Sequence, residues 1–191
     1  MNSKKIAVLL SGCGVMDGSE IHEAVTAMLA IQQQGADYDC FAPEGDQGVT
    51  INHLTKQPEP QKRRMLVEAA RIARGEINTL KNFKAENYDA LLIPGGMGAV
   101  MNLCDFAQKG PDCSVHPDVE RAVIEMHQAH KPIVALCIAP VLVARILKDV
   151  TLTIGNDPET AMALKNMGAN HQVCSAAEVC IDRKNKIIST P

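Results

Sequence analysis

Apolar residues along this chain come in two rhythms, and their alternation predicts a sheet wound with helices. Residues 6–10, 90–93 and 133–136 are short unbroken apolar blocks, the pattern of strands buried on both faces of a parallel sheet. Residues 38–42 return as a second strand after the helical stretch 19–34. In that stretch Ile21, Val25, Met28 and Leu29 form a stripe expected to face the core, with Asp17 or Ser19 as cap and Gly35 as its end. Residues 65–74, 117–129 and 157–167 repeat the helical period, the last opening at Asp157-Pro158-Glu159 and closed by Gly168. The polar connection 43–64 carries only a weak strand signal at 49–54, and 80–87 reads as a short helical approach to the strand at 90–93. Residues 173–180 and 186–189 read as the last strands. The order β-α-β-α-β-α-β predicts an α/β fold with an open, doubly wound, mostly parallel sheet and helices on both faces. At 191 residues it is expected to be a single domain spanning 1–191.

Ligands of such sheets bind outside the carboxyl ends of the strands, where loops 11–19, 94–98 and 137–140 converge. Cys137 stands where the block 133–136 must turn into a helix, with Pro140 tolerated in its first turn. A nucleophile on so sharp a turn is held above the sheet edge, and the helix start is expected to lower a thiol pKa. The plain alternative is a small buried hydrophobe. Gly95 and Gly96 follow the strand at 90–93, where bare N–H groups can point at a developing oxyanion. Neither a P-loop nor a G-x-G-x-x-G pattern is present. Glu23, one turn into the first helix, is placed to share a proton with Cys137 and act as acid/base, whereas Glu20 is explained by the helix dipole. The substrate pocket is expected among Ser11, Gly12, His22, His53, Gly95 and Ile138. Of the six histidines, none is tied to Cys137 by spacing, and His127 and His130 lack partners for a metal.

Composition narrows the classes. A net charge of −3 with one basic cluster, residues 62–64, gives no footprint for nucleic acid. No apolar stretch approaches the roughly 20 residues of a membrane span, and the first residues lead into a strand rather than a signal sequence. The seven cysteines are odd in number and scattered without a C-x-x-C pair, which argues against disulfides or thiolate zinc and for the cytosol.

Several segments together resemble the PfpI-type branch of the class I glutamine amidotransferase-like superfamily and, within it, the glyoxalase-like ElbB family named for enhancing lycopene biosynthesis. They are residues 10–23 (LSGCGVMDGSEIHE), 40–43 (CFAP), 51–55 (INHLT), 68–76 (EAARIARGE), 93–98 (IPGGMG), 137–140 (CIAP) and 152–155 (LTIG). The resemblance implies a flavodoxin-like three-layer sandwich that forms homodimers. It also implies Cys137 as elbow nucleophile, Glu23 as the glutamate bonding its sulfur and Gly96 in the oxyanion hole. The implied activity is cofactor-free conversion of small dicarbonyls such as glyoxal to hydroxy acids, or removal of early glycation adducts.

Two departures matter. Gly155-Asn156 stands where many PfpI-type relatives carry a histidine, which puts glutaminase and peptidase chemistry in doubt. Pro191 ends the sequence where relatives continue into a helix, so a sheet face or dimer surface is expected to be uncovered, or the chain to be longer. The leading expectation is a cysteine-dependent glyoxalase. The alternatives are a redox-responsive regulatory protein linked to isoprenoid metabolism and, behind it, an amidotransferase subunit.

Overall fold

A computed structural model describes residues 3–191. The chain begins β1 (Lys5–Leu9), α1 (Ile21–Gln33), β2 (Asp37–Ala42), β3 (Thr50–Asn52), β4 (Gln57–Glu59), α2 (Met65–Ile72), β5 (Ile77–Thr79) and β6 (Ala90–Ile93). It continues α3 (Gly98–Met101), α4 (Phe106–Lys109), α5 (Pro117–Gln128), β7 (Ile133–Leu136) and α6 (Pro140–Ile146). The last part is β8 (Thr151–Leu152), α7 (Pro158–Asn166), β9 (Asn170–His171), β10 (Cys180–Asp182) and β11 (Ile187–Thr190). Seven strands form one sheet in the order β10-β11-β7-β6-β1-β2-β5. Every pairing is parallel except β10 against β11. This is the doubly wound, mostly parallel, flavodoxin-like α/β class the sequence predicts.

Two cores explain the apolar blocks. Ala7 and Leu9 of β1 pack into one cluster with Val119, Val123 and Met126 of α5 and Val141–Ala144 of α6. Val8 and Leu10 point the other way, against Ala24 and Met28 of α1 and Ala69 and Ile72 of α2. A strand covered on both faces has no polar side to show, so its sequence loses alternation. Sheet order reverses between β1 and β6, and the loops after β1, β6 and β7 therefore meet at one edge.

The structure corrects several local expectations. Ile21, Val25 and Leu29 do not face the core: they are 41%, 46% and 52% exposed, and α1 packs through Ala24 and Met28. Ala24 and Met28 form the i, i+4 face that meets the sheet, and the i, i+4, i+8 stripe lies one position round the helix from each, turned outward. Glu20, not Asp17 or Ser19, caps α1, its carboxylate accepting the Glu23 N–H at 2.7 Å. The polar β5 was not expected as a strand, and it pairs with β2 at the sheet edge. Residues 80–87 form two separate 3-10 turns, and 173–179 carry no strand. Among the described residues, no helix is long and apolar enough to cross a membrane.

Candidate active site

Cys137 closes β7 with φ = +55°, a left-handed conformation that an ordinary side chain holds at a cost of about 1–3 kcal/mol. The turn is fixed from both sides: the Cys137 N–H donates to Thr190 O at 2.9 Å, and the Ala139 N–H returns to Leu136 O at 2.9 Å. The strained elbow expected from the sequence is present.

Gly95 is what lets the neighbours close in. A Cβ there would lie 2.5 Å from the Cys137 Cβ, 2.9 Å from Glu23 Oε2 and 3.0 Å from Leu136 O. The Gly95 N–H donates to Glu23 Oε2 at 2.7 Å, and the Glu20 N–H donates to Gly95 O at 2.9 Å. Gly96, at φ = +90°, is pressed against the loop before α1, where a Cβ would sit 2.5 Å from Glu20 N and Gly18 O. With no side chain in the way, its N–H faces the sulfur side of the elbow and, with the N–H of Ile138, favours the charged form of the Cys137 thiol. The Glu23 carboxyl meets the Cys137 side chain across Gly95, since a Cβ on Gly95 would touch both. Cys137, Glu23, Gly95, Gly96 and Ile138 are thus brought together.

The remaining sequence candidates are not. Ser11 and Gly12 are buried beneath the loop; the Ser11 N–H donates to Ser19 Oγ at 2.8 Å, and the two hydroxyls stand 3.2 Å apart. His22 lies in solvent on the rim, with Nδ1 3.3 Å from Glu20 Oε1. His53 is a strut: Nε2 accepts the Met16 N–H at 3.2 Å, which assigns the proton to Nδ1, 3.0 Å from Ile51 O. Among the described residues, no imidazole bonds the Cys137 sulfur. Sequence reading missed Asn102, whose Nδ2 donates to Ser11 O and Asp17 O at 2.8 Å each while Oδ1 accepts the Gly48 N–H. It also missed that Asp17 is buried with Oδ2 on the Ile51 N–H at 2.7 Å. Nothing local announces Asn102, because its partners are more than fifty residues away.

Electrostatics at the sulfur run against the expected thiolate. Burial pushes the Cys137 thiol above its ordinary value, and the Glu23 charge pushes it further, while the Gly96 and Ile138 N–H groups pull it down. The helix start contributes little because Pro140 has no N–H and the N–H groups of Val141 and Leu142 are taken by Ile138 O and Ala139 O. Glu23 is raised as well, first by burial and then by Glu20, against the Gly95 N–H and the thiol. The two groups are therefore linked: the Glu23 charge raises the thiol, and the thiol helps hold the carboxylate down. Such a pair can deliver the sulfur to an electrophile while the carboxylate takes the thiol proton. Surface hollows of about 650 Å³ beside Phe106 and Met162 and about 520 Å³ beside Tyr38 and Arg74 lie away from this edge. Among the described residues, no group of three or more His, Cys, Asp or Glu is arranged to hold a metal.

An elbow cysteine at the switch point of a flavodoxin-like sheet defines a class I glutamine amidotransferase-like domain, and comparisons narrow this. The chain belongs to the family of glutamine amidotransferase-like class 1 domain proteins, the ES1 homologues. It is 46% identical over 197 residues to the human glutamine amidotransferase-like class 1 domain-containing protein 3, covering 98% of this chain and 74% of that protein. A solved isoprenoid biosynthesis protein with amidotransferase-like domain from Ehrlichia chaffeensis superposes with a TM-score of 0.91 at 37% identity, covering 97% of this chain and 87% of that one. Drosophila DJ-1beta, at 16% identity, TM-score 0.58 and coverage of 99% and 82%, shares the fold. No protein-family model matches the chain. The expected cytosolic placement is overturned, since the human, rat and zebrafish relatives are all named mitochondrial proteins. Free thiols restrict the redox state of a compartment, not its identity.

Proposed function

We propose that the chain is a cofactor-independent glyoxalase or deglycase, a glyoxalase-like lyase of the ElbB branch, that converts glyoxal-type dicarbonyls to hydroxy acids. The observation that carries this reading is the Cys137 thiol held at φ = +55° with Glu23 and two backbone N–H groups beside it. Cys137 attacks one aldehyde carbon while its proton passes to Glu23. The oxyanion forms against the Gly96 and Ile138 N–H groups and takes that proton back, giving a hemithioacetal. Glu23 then removes the carbon-bound proton and returns it to the adjacent carbon, while the hydroxyl proton on the first carbon passes to the oxygen of the second, leaving a thioester of the hydroxy acid. Water hydrolyses the thioester and restores the thiol, so glyoxal plus water becomes glycolate. No step uses an imidazole, which disfavours the amidotransferase-subunit reading.

Glyoxal consumption by the wild type, Cys137→Ser and Glu23→Gln tests it. Turnover lost in both variants is the expected result, and turnover retained in Cys137→Ser sinks the mechanism. A second reading, a redox-responsive regulatory protein linked to isoprenoid metabolism, is favoured by the name of the Ehrlichia relative. It gains if the wild type lacks turnover while peroxide, reduced to water, converts Cys137 reversibly to a sulfenic acid.

We also propose that the active form is a homodimer. The outward stripe of Ile21, Val25 and Leu29, beside exposed Val15 and Met97, supports a second copy as the cover. Leu29→Asp should then convert a dimer to a monomer in light scattering.

A further inference from the structure

Several carboxylates of this chain stand beside cations, while others, such as Asp157 and Glu178, are held by neutral N–H donors. Asp39 lies 2.7 Å from Lys5, Glu44 2.8 Å from Lys81, and Glu68 takes Arg71 at 3.0 Å and Arg63 at 3.6 Å. The two carboxyls at the elbow do not stand beside a Lys or Arg. Glu23 Oε2 is bonded to the Gly95 N–H, and Glu20 Oε2 to the Glu23 N–H. The other Glu20 oxygen has only His22 at 3.3 Å, whose side chain is 93% exposed and so screened by water, while the Glu20 side chain is 18% exposed. Among the described residues, neither carboxyl has a Lys or Arg within ion-pair distance. Among the described residues, Glu23 is the charged group that raises the Cys137 thiol, and Glu20 the charged group that raises Glu23.

We infer that Glu20 and Glu23, unpaired by any cation, make the Cys137 site one that admits neutral or cationic carbonyl compounds and turns away α-oxo carboxylates. This rests on Cys137 being the reacting group of the proposed activity. An α-oxo acid whose carbonyl reached the sulfur would set its carboxylate within a few ångströms of Glu23. The neutral amide donors of Gly96 and Ile138 suit one oxyanion developing on the reacting carbon, and they offer nothing to a second, permanent charge. Glu20 adds a second negative charge one helical turn away, so it acts on selectivity rather than on the reacting atoms. Repulsion between like charges at this separation, partly screened by solvent, slows an anion by roughly tenfold to a hundredfold.

Labelling at Cys137 tests this without requiring turnover. Three methanethiosulfonate reagents share one reactive head and differ only in tail charge: aminoethyl (cationic), hydroxyethyl (neutral) and sulfonatoethyl (anionic). Rates at Cys137 are read by peptide mass and divided by those of 2-mercaptoethanol. Cys13, which has Arg63 and Arg71 as well as Glu68 and Asp17 around it, serves as the internal reference with mixed charge. The expected result is an anionic rate at least ~10-fold below the neutral one at Cys137, narrowing several-fold in ~0.5 M salt. Glu20→Gln, which keeps an oxygen for the Glu23 N–H, should narrow the gap by ~3-fold. Equal rates for anionic and neutral reagents, or a gap that neither salt nor Glu20→Gln changes, overturn the inference. A charge gap in a protein that consumes no glyoxal upholds the inference and sinks the proposed activity. Consumption of glyoxal without a gap sinks the inference alone.

Discussion

Cys137 and the thiols inside the two cores obey the same rule with opposite consequences. Cys40 is packed under α1, with its sulfur 3.6 Å from Met28 Sδ, and burial pushes it up to about 11. Cys104 sits in the other core, donates to Ala99 O at 3.5 Å, and is pushed up to about 12, again by burial. Cys137 is raised by burial too. It differs in having two N–H donors beside the sulfur and a carboxyl able to take its proton. A perturbed thiol is therefore no mark of function in this fold; the mark is a proton acceptor and oxyanion donors beside it.

The widest gap should appear on labelling the native protein with iodoacetamide at about pH 8. Cys137, half-buried at the sheet edge, is expected to react at least ~10³-fold faster than Cys40 or Cys104, whose thiolates are scarce and sealed until the fold opens. Comparable rates at Cys104 would erase the contrast between edge and core.

Removing the elbow's special environment should come next in size. Gly95→Ala drives a Cβ into the Cys137 Cβ and into the Leu136 carbonyl, which is backbone and cannot swing aside. Strain of about 1–3 kcal/mol and a shift of the sulfur away from Glu23 are expected. Turnover should fall by ~10² or more, the scale of an ångström-sized misplacement. A variant with wild-type turnover would show that the close approach is incidental.

How much of this was legible beforehand follows the same division between edge and core. The elbow could be read because an apolar block, Cys137 and Pro140 lie within eight residues, and the sheet because its strands are covered on both faces. Faces of α1 were misread because its apolar stripe is real but points outward, where periodicity alone cannot tell a core from an interface. Glu20 was overlooked as a cap because Asp17 and Ser19 are better cap types; both are spent holding the loop from residue 11 to residue 19. Asn102 was invisible, since three bonds to segments distant in sequence leave no local trace. The expected thiolate failed because burial and then the Glu23 charge raise the thiol, while the helix that was to offset them uses its first N–H groups internally.

Glu23→Gln should separate reactivity from catalysis. Removing the negative charge beside the sulfur takes away one cause of the raised thiol value, so the pH midpoint for alkylation of Cys137 should move down. Turnover should vanish at the same time, because an amide cannot carry the proton between carbons. Faster alkylation with lost turnover is the signature of a linked pair; an unmoved midpoint would mean the two groups are not coupled.

The smallest effect expected from the same variant is on stability, and its sign is opposite to that of most substitutions. Glu23 has a raised value in the folded protein, so the fold binds its proton more tightly than the unfolded chain does. Stability is then highest below the ordinary carboxyl value, falls as pH rises from there through the folded value, and stays reduced at neutral pH. A glutamine cannot ionise, and its oxygen can still accept the Gly95 N–H, so the reduction disappears. Because the carboxyl is half-buried rather than sealed, solvent screening keeps the gain under ~1 kcal/mol. Glu23→Gln should melt slightly above the wild type at pH 7, and the difference should close as pH falls toward ~4. A lower Tm at pH 7 would show that the ionised carboxylate holds the site together, and that the fold carries no cost for keeping a base beside its cysteine.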